Sequence, residues 1–204
     1  MTATPAQHDR AALVVVDVQN DYCSPDGALG RRGVVVPTVD AGVDAIERLS
    51  AAAHRASIPV IYVRTTHDPR TNAGSWLRRS STGGDVCAPG SWGAQFYRLT
   101  PADTDIIVTK HRYSAFVGTD LDLILRAHGV DHLYFAGFLT NVCVETSLRD
   151  AFVRDYHVTL IADAAGSTQE RLHQNTLETV AAYFGAVHTA DEAVAIWASS
   201  AVPV

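Results

Sequence analysis

The chain has 204 residues, 47% of them apolar and 19% charged, with a formal net charge of −6 at pH 7. These proportions suit one globular domain with a sizeable core, expected over residues 1–204 with its centre at about 11–190. The acidic balance excludes a nucleic-acid binder, no apolar run approaches a membrane span, and three cysteines are too few for a disulfide framework.

Apolar, β-branched runs alternate with helical patterns along the chain. The opening MTATPAQHDR is polar and does not read as a signal peptide. AALVVVDV (11–18) is the first predicted strand, followed by a helix at about 38–56 with Val39, Val43, Ile46 and Leu49 on one face. PVIYVRT (59–65) is the second strand. Residues 67–100, rich in Gly, Pro, Ser and Arg, read as a long excursion with little regular structure, which in a compact domain usually serves function. DIIVTK (105–110) is the third strand, and a helix over 119–129 is stopped by Gly129. Then come a strand at 130–136, a helix at 141–154, a strand at 157–164, a helix at about 169–184, a short strand at 185–189 and a last helix at about 190–199.

Strand alternating with helix means parallel strands joined by crossover helices, and strands apolar throughout are covered on both faces. The fold class is therefore α/β, a three-layer α/β/α sandwich. Sites in such sheets lie beyond the carboxyl ends of the strands, at the switch point in strand order. Asp17 ends the first strand in DVQNDY, Lys110 ends the third in KHRYSAF, and GFLTNVCVETSLRDA (137–151) carries Cys143 from the fourth strand into a helix. With the order 3-2-1-4-5-6, an acid, an amine and a thiol converge on one crevice.

The residue types point to nucleophilic catalysis. A thiolate is the attacking species, and a helix start favours an anion, so Cys143 is expected to have a lowered pKa. Asp17 is the candidate base that takes the thiol proton and hands it to a leaving amine, and Lys110 supports both anions. Backbone N–H groups at the turn into the helix are candidate oxyanion donors.

These segments resemble the isochorismatase-like cysteine hydrolases. KHRYSAF followed by LDLILRAHGVDHLYFAGFLTNVCVE is especially similar to the ureidoacrylate amidohydrolase, biuret hydrolase and N-carbamoylsarcosine amidohydrolase branch, and PGSWGAQF (89–96) is similar to a further family segment. The resemblance spans about 11–190. It implies a six-stranded parallel sheet, a homodimer or homotetramer, and Asp17, Lys110 and Cys143 as a triad. It further implies a cis peptide between Phe138 and Leu139, with the N–H groups of Leu139 and Cys143 as the oxyanion hole. The metal site of the superfamily's nicotinamidases follows an Asp-x-His pattern after strand two; here that region reads RTTHDPRTNAG, so no metal is expected and His67 reads as a hydrogen-bonding loop residue. Isochorismatases proper cleave a vinyl ether and lack the nucleophilic cysteine, so Cys143 points away from that reaction.

Gln19, Asn20, Trp92, Arg112, Tyr113, Phe116 and Asn141 are candidate substrate-binding residues: amides near the triad, aromatics to wall the pocket, and an arginine to pair a carboxylate. Cys23 and Cys87 read as structural. Gly27, Gly30 and Gly33 do not follow a strand into a helix and make no dinucleotide fingerprint. The expectation is a cytoplasmic, cofactor-free and metal-independent cysteine amidohydrolase of a small amide, ureide or N-carbamoyl compound, with no nucleic-acid or membrane partner. The alternatives are a nicotinamidase-type amidase of a heteroaromatic or lactam substrate and, from another class, a catalytically retired scaffold or interaction protein.

Overall fold

Six apolar runs form one parallel sheet: β1 (Ala11–Val16), β2 (Val60–Thr65), β3 (Ile106–Lys110), β4 (His132–Phe138), β5 (His157–Gly166) and β6 (Ala186–His188). Their order is β3-β2-β1-β4-β5-β6, with every neighbouring pair parallel. This is the order read from the sequence. The structure is a computed structural model that describes residues 10–72, 74–79 and 86–200. The polar N-terminal stretch over 1–9 and the part of the excursion at 73 and 80–85 lie outside the described residues, as do 201–204.

The helices are α1 (Asn20–Cys23), α2 (Val39–Arg55), α3 (Gly74–Arg79), α4 (Leu121–Ala127), α5 (Glu145–Phe152), α6 (Glu170–Tyr183) and α7 (Ala190–Ser200). Side chains alternate across a strand, and β1 divides the core accordingly. Leu13 and Val15 pack with Tyr62, Tyr134 and Ala136 under α2 and α7, whose Val43, Ile46, Leu49 and Trp197 are buried. Val14 and Val16 pack with Ile61, Val63, Leu133 and Phe135 on the other face, under Leu125 of α4, Leu148 of α5 and Val180 of α6. Two apolar faces explain why the strand reads as a continuous apolar run. Among the described residues, no helix is long and apolar enough to cross a membrane.

The sequence reading needs two local corrections here. The excursion over 67–100 carries α3 and a 3-10 turn at Trp92–Ala94, and α1 forms directly after β1. α1 and the 3-10 turn are short segments without periodicity, held by tertiary contacts. The buried carboxylate of Asp21 accepts hydrogen bonds from Ala28 N (2.8 Å) and Cys87 N (2.6 Å). Gly93 lies so close that an added Cβ would fall 1.9 Å from Asp21 Oδ2. A small satellite core of Ala28, Val86, Cys87 and Ala94 completes the attachment. The excursion is thereby fastened to the α1 segment, next to the carboxyl end of β1.

Near the end of β4, Gly137 has φ +118° and faces β1 so closely that a Cβ would lie 2.0 Å from Val16 O. Only glycine takes that conformation and that approach without cost. Gly137→Ala should therefore destabilise the protein by at least about 2 kcal/mol, read as a lower urea midpoint at unchanged m-value.

Candidate active site

β1, β2 and β3 are neighbours, so their last residues meet at the carboxyl edge of the sheet. Asp17 follows β1 with φ +56°, a left-handed conformation that Asp tolerates better than most residues. Its N–H bonds Val63 O (2.9 Å) and its C=O accepts from Gln19 N (2.9 Å), so the chain turns sharply at this residue. Lys110 is the last residue of β3, and Thr65, the last residue of β2, lies between the two and pairs with Lys110 in the sheet.

The three side chains form a dry polar cluster. Lys110 Nζ lies 2.7 Å from Asp17 Oδ2, with the two side chains 1% and 0% exposed. Lys110 Nζ also donates to Thr65 Oγ1 (2.7 Å) and Arg112 O (3.0 Å), which accounts for three acceptors around an ammonium. Thr65 Oγ1 donates in turn to Asp17 Oδ1 (2.9 Å). Burial alone pulls the Lys110 pKa down, but the Asp17 carboxylate outweighs it and holds it above the ordinary lysine value.

Cys143 comes from β4. After the cis peptide bond between Phe138 and Leu139, residues Thr140–Val144 form one wide turn, with Val144 N donating to Leu139 O across five residues (3.3 Å). Such π-type turns occur often at functional sites. α5 follows directly, so the helix expected over 141–154 is a wide turn plus a shorter helix. The turn is clamped from three sides. Ser147 Oγ donates to Cys143 O (2.6 Å) and accepts from Ala115 N (2.9 Å). Thr140 Oγ1 is hydrogen bonded to His173 Nδ1 (2.9 Å), and Ser167 Oγ donates to Asn141 Oδ1 (2.6 Å). Cys143 is partly exposed, whereas Asp17 and Lys110 are buried.

The Cys143 thiol lies within electrostatic reach of both Asp17 and Lys110. Its pKa is raised, not lowered as the helix start suggested. Enclosure of the thiol pushes it up, the Lys110 ammonium pulls it down, and the Asp17 carboxylate pushes it up again. Cys143 also sits inside the helical turn rather than at its first N–H groups. At rest the sulfur is protonated, beside a carboxylate oxygen and an ammonium. That arrangement can move a proton from sulfur to Asp17 as the sulfur attacks, without accumulating thiolate beforehand.

Several candidate substrate contacts also make bonds within the protein. Gln19 is fully buried: its Nε2 donates to Thr65 O and Ala94 O (both 2.9 Å) and its Oε1 accepts from Thr65 N (2.7 Å). Asn20 Nδ2 donates to Trp92 O (2.8 Å), and Asn141 is engaged by Ser167. Phe116 belongs to the core beside Tyr156, with Arg154 over its ring. Polar side chains next to a turn satisfy backbone groups that the turn leaves unpaired, and sequence alone does not separate that duty from ligand binding. Arg112 donates to His111 O (2.6 Å) and Thr71 O (2.9 Å), tying it to the excursion. Trp92 and Tyr113 are each about half exposed.

Thr65, Asp21, Tyr22, Ser147 and His173 were missed by sequence reasoning. Tyr22 carries a hydroxyl 3.3 Å from His67 Nε2, and burial above all holds its pKa well above the ordinary tyrosine value. His67 is buried, and burial first, then the Lys110 charge, lower its pKa. Cys23 and Cys87 are buried, with pKa values pushed up chiefly by burial, which makes them poor nucleophiles. Among the described residues, no three His, Cys, Asp or Glu side chains are grouped to hold a metal ion. A cleft of about 360 Å³ lined by Arg64, Thr66, Ser91 and Gln95, among others, opens near the end of β2, and none of Asp17, Lys110 or Cys143 lines it.

Comparisons with known proteins identify the family and the fold. The isochorismatase domain family matches residues 11–192. Ureidoacrylate amidohydrolase RutB of Methylobacterium radiotolerans is 41% identical over 190 residues, covering 85% of this chain and 74% of that protein. The crystal structure of a cysteine hydrolase from Pseudomonas syringae pv. phaseolicola superposes with a TM-score of 0.85 at 31% identity, covering 98% of this chain and 96% of that one. N-carbamoylsarcosine amidase from Thermoplasma acidophilum gives a TM-score of 0.75 at 28% identity, with coverage of 89% and 97%.

Replacing Lys110 by Met removes the cation that lowers the Cys143 pKa. The pH profile of Cys143 alkylation by iodoacetamide should then move to higher pH, with a slower rate at neutrality; an unmoved profile would contradict the electrostatic role of Lys110.

Proposed function

We propose, from the premise that the chain belongs to the isochorismatase domain family, that it is a cysteine amidohydrolase of a small amide, ureide or N-carbamoyl compound. The observation that carries this reading is the meeting of Asp17, Lys110 and Cys143 at the ends of three different strands. The likeness to proteins named ureidoacrylate amidohydrolase and N-carbamoylsarcosine amidase supports the substrate class.

In this mechanism Cys143 Sγ attacks the substrate carbonyl carbon while its proton passes to Asp17. The carbonyl electron pair moves onto oxygen, and the N–H groups of Leu139 and Cys143, on the turn that follows β4, stabilise the oxyanion. As the C–N bond breaks, Asp17 returns the proton to the leaving nitrogen, so ammonia or an amine departs and a thioester remains. Water then gives a proton to Asp17, its oxygen adds to the thioester carbon, and the sulfur leaves and regains that proton. Lys110 pairs with the Asp17 carboxylate and holds it in place. No step requires a metal or cofactor.

Ammonia release from ureidoacrylate, biuret, N-carbamoyl amino acids and nicotinamide tests the reading. Wild type should act on a ureide or N-carbamoyl compound, and Cys143→Ala should lower kcat/KM by about three orders of magnitude or more. Activity that survives in Cys143→Ala would overturn the mechanism, and release from nicotinamide alone would move the substrate class to heteroaromatic amides.

A further inference from the structure

We propose that Thr65 is a positioning residue whose hydroxyl, bridging Lys110 and Asp17, holds the Asp17 carboxylate in the orientation in which it takes the Cys143 proton. The proposal rests on the assignment of Asp17 as the base. The two carboxylate oxygens are not equivalent in this site. Oδ1 accepts the Thr65 hydroxyl at 2.9 Å. Oδ2 is in ion-pair contact with Lys110 Nζ at 2.7 Å. Each oxygen is held by a different neighbour, so the direction of the carboxylate is set by Thr65 and Lys110 together.

Thr65 does this by relaying between the charges. Its Oγ1 accepts from Lys110 Nζ at 2.7 Å and passes its own hydrogen to Asp17 Oδ1. A hydroxyl that accepts from the cation has its donor direction committed to the carboxylate. The residue is only 3% exposed, so bulk water cannot take over the relay. Its backbone is fixed on both sides by the Gln19 amide, which donates to Thr65 O (2.9 Å) and accepts from Thr65 N (2.7 Å). A β-branched side chain on a strand also has a restricted χ1, which holds the hydroxyl in one direction. Remove the hydroxyl and the ammonium loses an acceptor, the carboxylate loses its orienting donor, and either oxygen can rotate onto Lys110.

Thr65→Val keeps the shape and deletes the relay; Thr65→Ser keeps the relay and deletes a methyl group. Thr65→Val should lower kcat about 10- to 100-fold with KM changed less than about twofold, because the lost bonds act on a charged group in the reaction step. It should also slow iodoacetamide alkylation of Cys143 at neutral pH. Thr65→Ser should stay within about threefold of wild type in both readouts. Wild-type kcat in Thr65→Val, or equal losses in the Val and Ser variants, would overturn the proposal, the latter by showing that packing and not the hydroxyl matters. If Thr65→Val does not fold, the contrast between Thr65→Ser and Thr65→Ala decides by the same criteria. The alkylation rate needs no substrate. Should wild type turn over none of the panel, the activity assignment fails while the alkylation contrast still judges Thr65.

Discussion

The site depends on an ion pair removed from water. Asp17 and Lys110 are almost wholly buried, and burying two charges costs several kcal/mol per ion unless geometry and further hydrogen bonds repay it. Here the repayment comes from Thr65, which bonds both partners, and from Arg112 O, which takes a further ammonium hydrogen. Removing one member of such a pair typically costs about 3–5 kcal/mol, because the other charge is left uncompensated. The pair exists only because β3, β2 and β1 lie side by side and parallel, so that their carboxyl ends fall at one level. Sheet order is therefore a condition of the chemistry proposed for this chain.

The same pair governs the thiol. A cysteine enclosed beside a carboxylate keeps its proton, and the ammonium moderates that tendency without reversing it. The arrangement differs from a thiolate stored at a helix terminus. In the proposed mechanism sulfur becomes a full nucleophile only as Asp17 takes its proton, which links activation to the presence of an electrophile. Burial dominates the chemistry of Cys23 and Cys87.

Around the reacting groups stands a shell of residues whose work is to hold position. Gln19 ties β2 to the 3-10 turn, Asp21 ties the α1 segment to the excursion, and Ser147, His173 and Ser167 clamp the turn that carries Cys143. Each satisfies backbone or side-chain polar groups that the sharp turns at the strand ends leave open. A turn with an irregular backbone needs that support to keep a nucleophile aimed within the tolerance that catalysis demands.

Much of this was legible in the chain itself. Alternation of apolar strands with amphipathic helices determined the α/β class, because period and burial follow directly from local pattern. The strand-end positions of Asp17, Lys110 and Cys143 followed from the same pattern, and the Cys143 segment carried the family resemblance. What tertiary structure alone decided was the direction of side chains and the balance of charge. Gln19, Asn20 and Asn141 read as ligands because amides beside a catalytic acid can serve either purpose; only the three-dimensional neighbours show Gln19 bonded to Thr65 and Ala94, Asn20 Nδ2 to Trp92 O and Asn141 Oδ1 to Ser167. Phe116 read as a pocket wall, and the core claimed it. Thr65 drew no attention as the last residue of an apolar strand, since its partners are 45 and 48 residues away. The Cys143 pKa went the opposite way from the local reading, because a helix start is visible in sequence whereas enclosure and a neighbouring carboxylate arise from residues brought in by other strands. Local periodicity is written along the chain; desolvation and hydrogen-bond partnership are properties of the folded neighbourhood.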